Sequence, residues 1–235
     1  MILRRLANAI RSQNWFTVII EIMIVVIGIF IGLQVTEWNN DRKANNQSRQ
    51  FLVQLNFDIE SSIASMKLAV KEHEVFIKNG KVALRFLNKE DIFVKHQAEI
   101  EYALQKMHEN PKPQLLHGNL YTLMTGDGWL TITDDDAQLQ LRHLTGGLGN
   151  KIDIYRDIEN RITESTALHR QLIGFSIPND PDVLVSFNIN DLQNSTNFKV
   201  TMQNSVVFHW WAVRLLNFMI STLEQYKSEL LTKEK

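Results

Sequence analysis

The sequence predicts an all-α protein: an N-terminal transmembrane helix that continues into an exported antiparallel helical bundle. Three observations carry this. Residues 15–36 read WFTVIIEIMIVVIGIFIGLQVT, with Glu21 as the sole charge. Beyond them, apolar residues recur at helical spacing in several long stripes. Chain breakers are scarce, with 10 glycines and 4 prolines in 235 residues.

The apolar run comes first. As a helix of about 1.5 Å per residue it is roughly 33 Å long, enough to cross a hydrocarbon core of about 30 Å. Trp15 and Trp38 stand at its ends, where amphipathic rings favour the membrane interface. A cleaved signal peptide has an apolar region of about 7–15 residues and a small-x-small site. This run is longer, and Leu33-Gln34-Val35-Thr36-Glu37-Trp38 offers no such site. An uncleaved anchor is therefore expected.

The head, residues 1–14, carries Arg4, Arg5 and Arg11 and no acid, so it is expected to stay cytoplasmic while the rest is exported. Arg42, Lys43 and Arg49 add positive charge beyond the span, but Glu37 and Asp41 lie among them. Ile2, Leu3, Leu6 and Ile10 fall on one side of a helix. The head is either a short helix on the anionic inner leaflet or a frayed basic tail.

Within the span, Asn14, Thr17, Glu21, Val25, Gly28, Gly32 and Thr36 are spaced three or four apart and form one stripe. Small and polar residues on one face mark helix–helix contact in lipid, and Gly28-Ile-Phe-Ile-Gly32 is a GxxxG pattern. Thr17, Glu21, Gly28 and Gly32 are thus the expected contact residues of a homo-oligomer. Glu21 is read as an oligomer contact rather than a proton carrier, since one span supplies no channel. The alternative is a Glu tolerated near the headgroups.

Residues 37–50 are polar but hold no helix breaker, and read as a stalk. The exported helical domain then occupies 51–235. Phe51, Leu52, Leu55, Ile59, Ile63, Met66 and Val70 form its first stripe, with a break expected at Asn79-Gly80. Phe93, His96, Ile100, Ala103, Leu104 and Met107 form a second, ended by Asn110-Pro-Lys-Pro113. A short segment, 115–124, and a glycine-rich turn follow. Thr133-Asp-Asp-Asp136 reads as an N-cap with acids in the first turn of a helix to about Leu144. Gly146, Gly147 and Gly149 are expected to loosen the chain there. Ile152, Tyr155, Ile158 and Ile162 start another helix, ending near Gly174. Pro178-Asn-Asp-Pro181 reads as a linker and 183–187 as a short strand. The last helix is expected from about Asn204, with Phe208, Ala212, Leu215, Leu216, Met219, Leu223, Tyr226 and Leu230 as its core stripe. About 180 residues suffice for one core.

Composition and motifs exclude much chemistry. With no cysteine, disulfides, thiolate sites and cysteine nucleophiles are absent. A formal charge of −1 and a pI near 6.7 argue against nucleic acid as partner. No phosphate-cradling glycine motif, GxSxG or HExxH occurs. Asp134-Asp135-Asp136 lacks the alternating ligands of a calcium loop. The histidines at 73, 96, 108, 117, 143, 169 and 209 do not pair at metal-ligand spacing within a helix. His96 and His169 read as core histidines; His108 and His117 flank Pro111 and Pro113, close enough in sequence to meet in space, but a metal site is not expected there. No cofactor, no metal and no catalytic residue is expected. Trp210 and Trp211 begin a helix that is apolar nearly all round; they are either the most buried turn or a surface for a partner protein or the outer leaflet.

Three stretches carry a resemblance: residues 21–39 behind the basic head, residues 120–144, and Ile189-Asn-Asp-Leu192 with Phe198 and the final helix. Together they resemble a family of uncharacterised bacterial single-span membrane proteins, classed only as a domain of unknown function. The chain departs from that pattern at 146–149 and at Trp210-Trp211. The resemblance implies an anchor in the bacterial inner membrane with a periplasmic helical domain, and brings no activity or substrate. The expected function is a non-enzymatic envelope protein whose exported bundle binds a protein partner and whose span self-associates. The alternative is a periplasmic small-ligand sensor, which needs a partner because only about 14 residues lie inside.

Overall fold

Apolar periodicity turns this chain into helices almost throughout. The computed structural model describes residues 15–107, 109–126, 128–164, 172–175 and 185–233. Among them are six helices: α1 Trp15–Leu87, α2 Gln97–Lys106, α3 Gly118–Thr125, α4 Asp135–Glu164, α5 Ile189–Asn194 and α6 Thr196–Lys233. A single 3-10 turn spans Gly128–Thr131, and β1 Ile173–Phe175 pairs antiparallel with β2 Val185–Phe187, Gly174 facing Ser186. The all-α class and the long apolar N-terminal helix are both present. The basic head, the Pro178–Pro181 linker, His108 and His169 lie outside the described residues.

Contacts divide the chain into two units, residues 1–50 and 51–235. In the first, the apolar part of α1 is exposed among the described residues: its most apolar 18-residue window is 0 % buried. α6 is also long and apolar enough to cross a membrane, but 39 % of its window is buried inside the second unit.

The second unit holds two apolar clusters. In the first cluster, Leu55, Ile59, Ile63 and Met66 of α1 meet Leu120 and Leu123 of α3. Leu141, Leu144, Leu148 and Ile152 of α4 join them, with Ala212, Leu216, Met219 and Leu223 of α6. In the second cluster, Phe76, Ala83, Phe86 and Leu87 of α1 meet Ile100, Ala103 and Leu104 of α2. Ile173 of β1, Leu192 of α5 and Phe198, Met202 and Val206 of α6 complete it. Residues in the second half of α1 meet late residues of α6: Lys67 pairs with Glu224 at 2.7 Å, and Lys227 with Glu60. Both pairs are solvent-exposed, so they contribute little beside the cores.

Four expected boundaries are corrected. α1 does not break at Asn79-Gly80 but runs to Leu87. Gly80 serves a close approach instead: a Cβ there would lie 2.6 Å from Val206 Cγ2. α4 does not loosen at Gly146–Gly149; it is one helix of 30 residues. The buried stripe Leu141, Leu144, Leu148, Ile152, Tyr155 passes straight through the glycines, and burying it outweighs their cost of about 1 kcal/mol each. Asp134 caps that helix, its Oδ1 accepting from Ala137 N at 2.8 Å, with Asp135 and Asp136 in the first turn as expected. The chain near Gly174 is strand rather than helix: Ile173–Phe175 pairs with Val185–Phe187, and Ile173 buries its side chain in the second cluster. α6 starts at Thr196, earlier than Asn204. Phe198 and Met202 extend its core stripe, and Ser195 Oγ accepts from Phe198 N at 3.2 Å.

Between α2 and α3, residues 109–117 lie along α1 on a row of polar anchors. Ser65 Oγ accepts from Gln114 N at 2.9 Å, Ser62 Oγ from His117 N at 3.2 Å, and Asp58 Oδ2 from Asn119 N at 2.7 Å. Asp58, Ser62 and Ser65 fall three and four apart, so they share one face of α1. Gly118 sits at φ +39°, and a side chain there would collide with the Asp58 carboxylate.

The two kinds of glycine separate by substitution. Nothing lies within 4 Å of a Cβ at Gly146 or Gly147. The double variant Gly146→Ala/Gly147→Ala is expected to gain about 1–2 kcal/mol of stability in chemical denaturation, from helix propensity alone. Gly80→Ala is expected to lose stability by a comparable amount through the Val206 collision. Equal effects at Gly80 and Gly146 would contradict this packing.

Candidate functional site

The two apolar clusters meet at a buried polar layer. On α1 the first cluster ends at Val70 and the second begins at Phe76; His73 lies between them, 0 % exposed. On α6 the second cluster ends at Val206 and the first resumes at Ala212; His209 lies between them, 1 % exposed. The two imidazoles face each other with Nδ1 to Nδ1 at 2.8 Å. His73 Nε2 meets Tyr155 Oη of α4 at 3.3 Å, and Tyr155 donates to the Pro111 carbonyl at 3.1 Å.

The direction of this chain follows from its end. A carbonyl oxygen only accepts, so the Tyr155 hydroxyl spends its proton on Pro111. Tyr155 Oη must then accept from His73 Nε2–H. Neutral His73 is left with a bare Nδ1, which accepts from Nδ1–H of His209. Neutral His209 is left with a bare Nε2, and that atom is buried without a hydrogen-bond partner.

Both rings are held neutral. Burial lowers the His73 pKa to about 4. Burial, with His73 beside it as the lesser cause, lowers that of His209 to about 3. Burial raises the Tyr155 hydroxyl, helped by Glu159 and Glu72, so it too keeps its proton. A charged imidazole here would forfeit its hydration between two apolar cores. Phe76 stacks on the His209 ring at 4.0 Å between centroids and fixes its plane.

His209 is one of the residues lining a cavity of about 320 Å³. Glu72 and Phe76 of α1, Tyr102 and Lys106 of α2, and Glu109, Asn110 and Pro111 of the following loop complete the wall. Lys106 Nζ donates to Glu109 Oε2 at 2.6 Å. Both amide atoms of Asn110 are buried without a partner. Ser205 Oγ donates to the Met107 carbonyl at 3.1 Å, which fastens the end of α2 to α6 beside the cavity. A wider hollow between α3 and α4, lined by Leu123, Met124, Thr125, Gly126, Thr145, Gly146 and Gly149, is open and has no unpartnered buried side-chain atom among those residues.

The residues singled out from sequence lie elsewhere. Thr17, Glu21, Gly28 and Gly32 are exposed on α1, and nothing lies within 4 Å of a Cβ at either glycine. Trp210 and Trp211 follow His209 but stand outside, 42 % and 52 % exposed. The expectation of a most-buried turn is therefore corrected: the buried face of this part of α6 is Met202, Ser205, Val206 and His209. The two indoles meet edge to face at 5.2 Å, and Arg214 covers Trp210 at 4.9 Å. His96 is no core histidine; it precedes α2 half-buried, 3.4 Å from Glu99. Among the described residues no group of three His, Asp or Glu is placed to hold a metal ion. His73 and His209 were missed in the sequence although both occupy core positions: Met66, Val70, His73, Phe76 and Met202, Val206, His209, Ala212 each step by three or four.

No family model, no curated protein and no solved structure matches the chain.

The neutral pair gives stability a pH dependence of known sign. Both folded pKa values lie below the unfolded value of about 6.5, so between these limits the unfolded chain binds more protons. Stability is fully present above about pH 6.5 and is lost as pH falls toward 4. Between pH 7 and pH 5, above most carboxylate titration, the chain is expected to lose about 4 kcal/mol in denaturant unfolding. His209→Phe removes one titrating ring and is expected to flatten that slope by roughly half. A parent stability that stays level from pH 7 to pH 5 would contradict a neutral buried pair.

Proposed function

We propose that the chain is a membrane-anchored, non-catalytic binding protein. Residues 15–36 span the bacterial inner membrane with the N-terminus cytoplasmic, residues 37–50 form a stalk, and residues 51–235 form a periplasmic antiparallel helical bundle. The observation that carries this is the uncovered apolar face of α1. Fifteen large apolar side chains from Phe16 to Trp38 stand exposed. Moving each out of water is worth about 1.5–3 kcal/mol, so a lipid environment is favoured by tens of kcal/mol. The stripe of Thr17, Glu21, Gly28 and Gly32 supports self-association of the span, and exposed Trp210 and Trp211, with Arg214 over Trp210, support docking of a protein partner. The family resemblance agrees with an anchored envelope protein.

A second reading, a small-ligand sensor acting through a partner protein, is favoured by the cavity beside His209. An enzyme is disfavoured because the one hydroxyl the buried pair touches, that of Tyr155, spends its proton on the Pro111 carbonyl and has no base to take it.

Membranes from cells making the full chain test the anchoring. The protein is expected to stay with the membrane after alkaline carbonate washing, and a reporter active only outside the cytoplasm is expected to work when fused after Lys235. Crosslinked oligomers are expected to decrease severalfold on Gly28→Ile/Gly32→Ile and to persist with Ile27→Leu. Release by carbonate would end the anchoring reading. Undiminished crosslinking in the double variant would remove the span as the self-contact.

A further inference from the structure

The cavity beside His209 specifies what enters it by what its walls lack. The hydrogen-bond chain from Pro111 through Tyr155 and His73 leaves the lone pair of His209 Nε2 without a donor, on a residue that lines the cavity, and a buried acceptor without a donor costs about 1–3 kcal/mol. Asn110 adds a second unpartnered acceptor, Oδ1, and one amide donor. Glu72 adds a carboxylate; among the described lining residues the one Lys or Arg is Lys106, which is engaged by Glu109. The charges lining the cavity, Glu72, Glu109 and Lys106, leave one net negative charge. Acceptors and negative charge therefore exceed donors and positive charge. The rings of Phe76 and Tyr102 supply apolar surface and a π face for a cation. The volume of about 320 Å³ corresponds to about ten water molecules at roughly 30 Å³ each, which suits a ligand of comparable heavy-atom count.

We propose that this cavity binds a small organic amine in its protonated form, with the ammonium donating to His209 Nε2, Asn110 Oδ1 and the Glu72 carboxylate. The proposal rests on the small-ligand reading and narrows it to one chemical class. A divalent cation would use the same lone pair, but the described residues around it provide no third ligand. A carboxylate ligand would meet Glu72, Glu109 and a bare imidazole nitrogen, all of which repel it. The relay behind His209 matters because it fixes the tautomer. Were His73 to offer Nδ1–H, His209 would present Nε2–H to the cavity and select an acceptor instead.

The test uses the full chain in detergent micelles at pH 7.5 and isothermal titration calorimetry. Probes are phenethylamine, its uncharged counterpart 2-phenylethanol, the anion 3-phenylpropionate, and zinc chloride. Phenethylamine is expected to bind at least tenfold more tightly than 2-phenylethanol, with no binding of 3-phenylpropionate. His209→Phe, which keeps a ring on Phe76, is expected to weaken the amine at least tenfold. Glu72→Gln, on the exposed side of α1 and harmless to folding, is expected to weaken it severalfold and to decide the matter if His209→Phe does not fold. Equal affinity for the amine and the alcohol would overturn the amine assignment while leaving a small-ligand cavity. Zinc binding in preference to the amine would replace it with a metal site. No binding of any probe would overturn both, leaving a cavity filled by water.

Discussion

A hydrogen bond between two neutral histidines holds the centre of the helical domain. Two apolar cores press on it from opposite sides along α1 and α6, and neither core reaches across. At that level the helices are joined by imidazole nitrogens 2.8 Å apart and by a tyrosine that closes the chain onto a backbone carbonyl. A contact of this kind survives in an apolar surrounding only if every member is satisfied and uncharged. The rings meet both conditions at each atom but one, and that atom belongs to a residue lining the cavity. The imperfection and the candidate site are thus the same feature.

The rest of the architecture serves to place the two ends of that relay. Pro111 can accept the Tyr155 hydroxyl because the loop carrying it is laid along α1 by Asp58, Ser62 and Ser65. Its prolines have no N–H to satisfy, so the loop lies against the helix without orphaned donors at those positions. Gly80 lets α6 approach α1 about two turns beyond His73, where Val206 fills the space of a missing side chain. Phe76 then clamps the His209 ring. Polar anchors, a close helix contact and an aromatic stack therefore converge on one imidazole nitrogen.

The sequence showed the helical class, the apolar anchor and most core positions, since 3.6-residue periodicity is a local property of the chain. It misjudged element ends where packing overrides propensity. Gly146 and Gly147 read as a break, yet the stripe from Leu141 to Tyr155 pulls the helix through them. Gly80 read as a break for the same reason, while its purpose is a contact 126 residues away in sequence. The site was not legible because its chemistry is a pairing between helices: His73 and His209 each look like one polar residue interrupting an apolar stripe. Their shared register was visible, but which ring faces which is fixed only when α1, α4 and α6 pack. Trp210 and Trp211 drew attention by bulk, yet the buried member of that turn is the neighbouring histidine.

The tautomers of the pair are the most direct measure of this account. Nitrogen-15 NMR on histidine-labelled full chain in micelles at pH 7.5 reads which ring nitrogens carry protons, and a scalar coupling across the N–H···N bond reports the contact itself. The account expects His73 protonated on Nε2 alone, His209 protonated on Nδ1 alone, and a coupling between the two Nδ1 nuclei. Two rings both protonated on Nε2, or either ring carrying two protons at that pH, would contradict it.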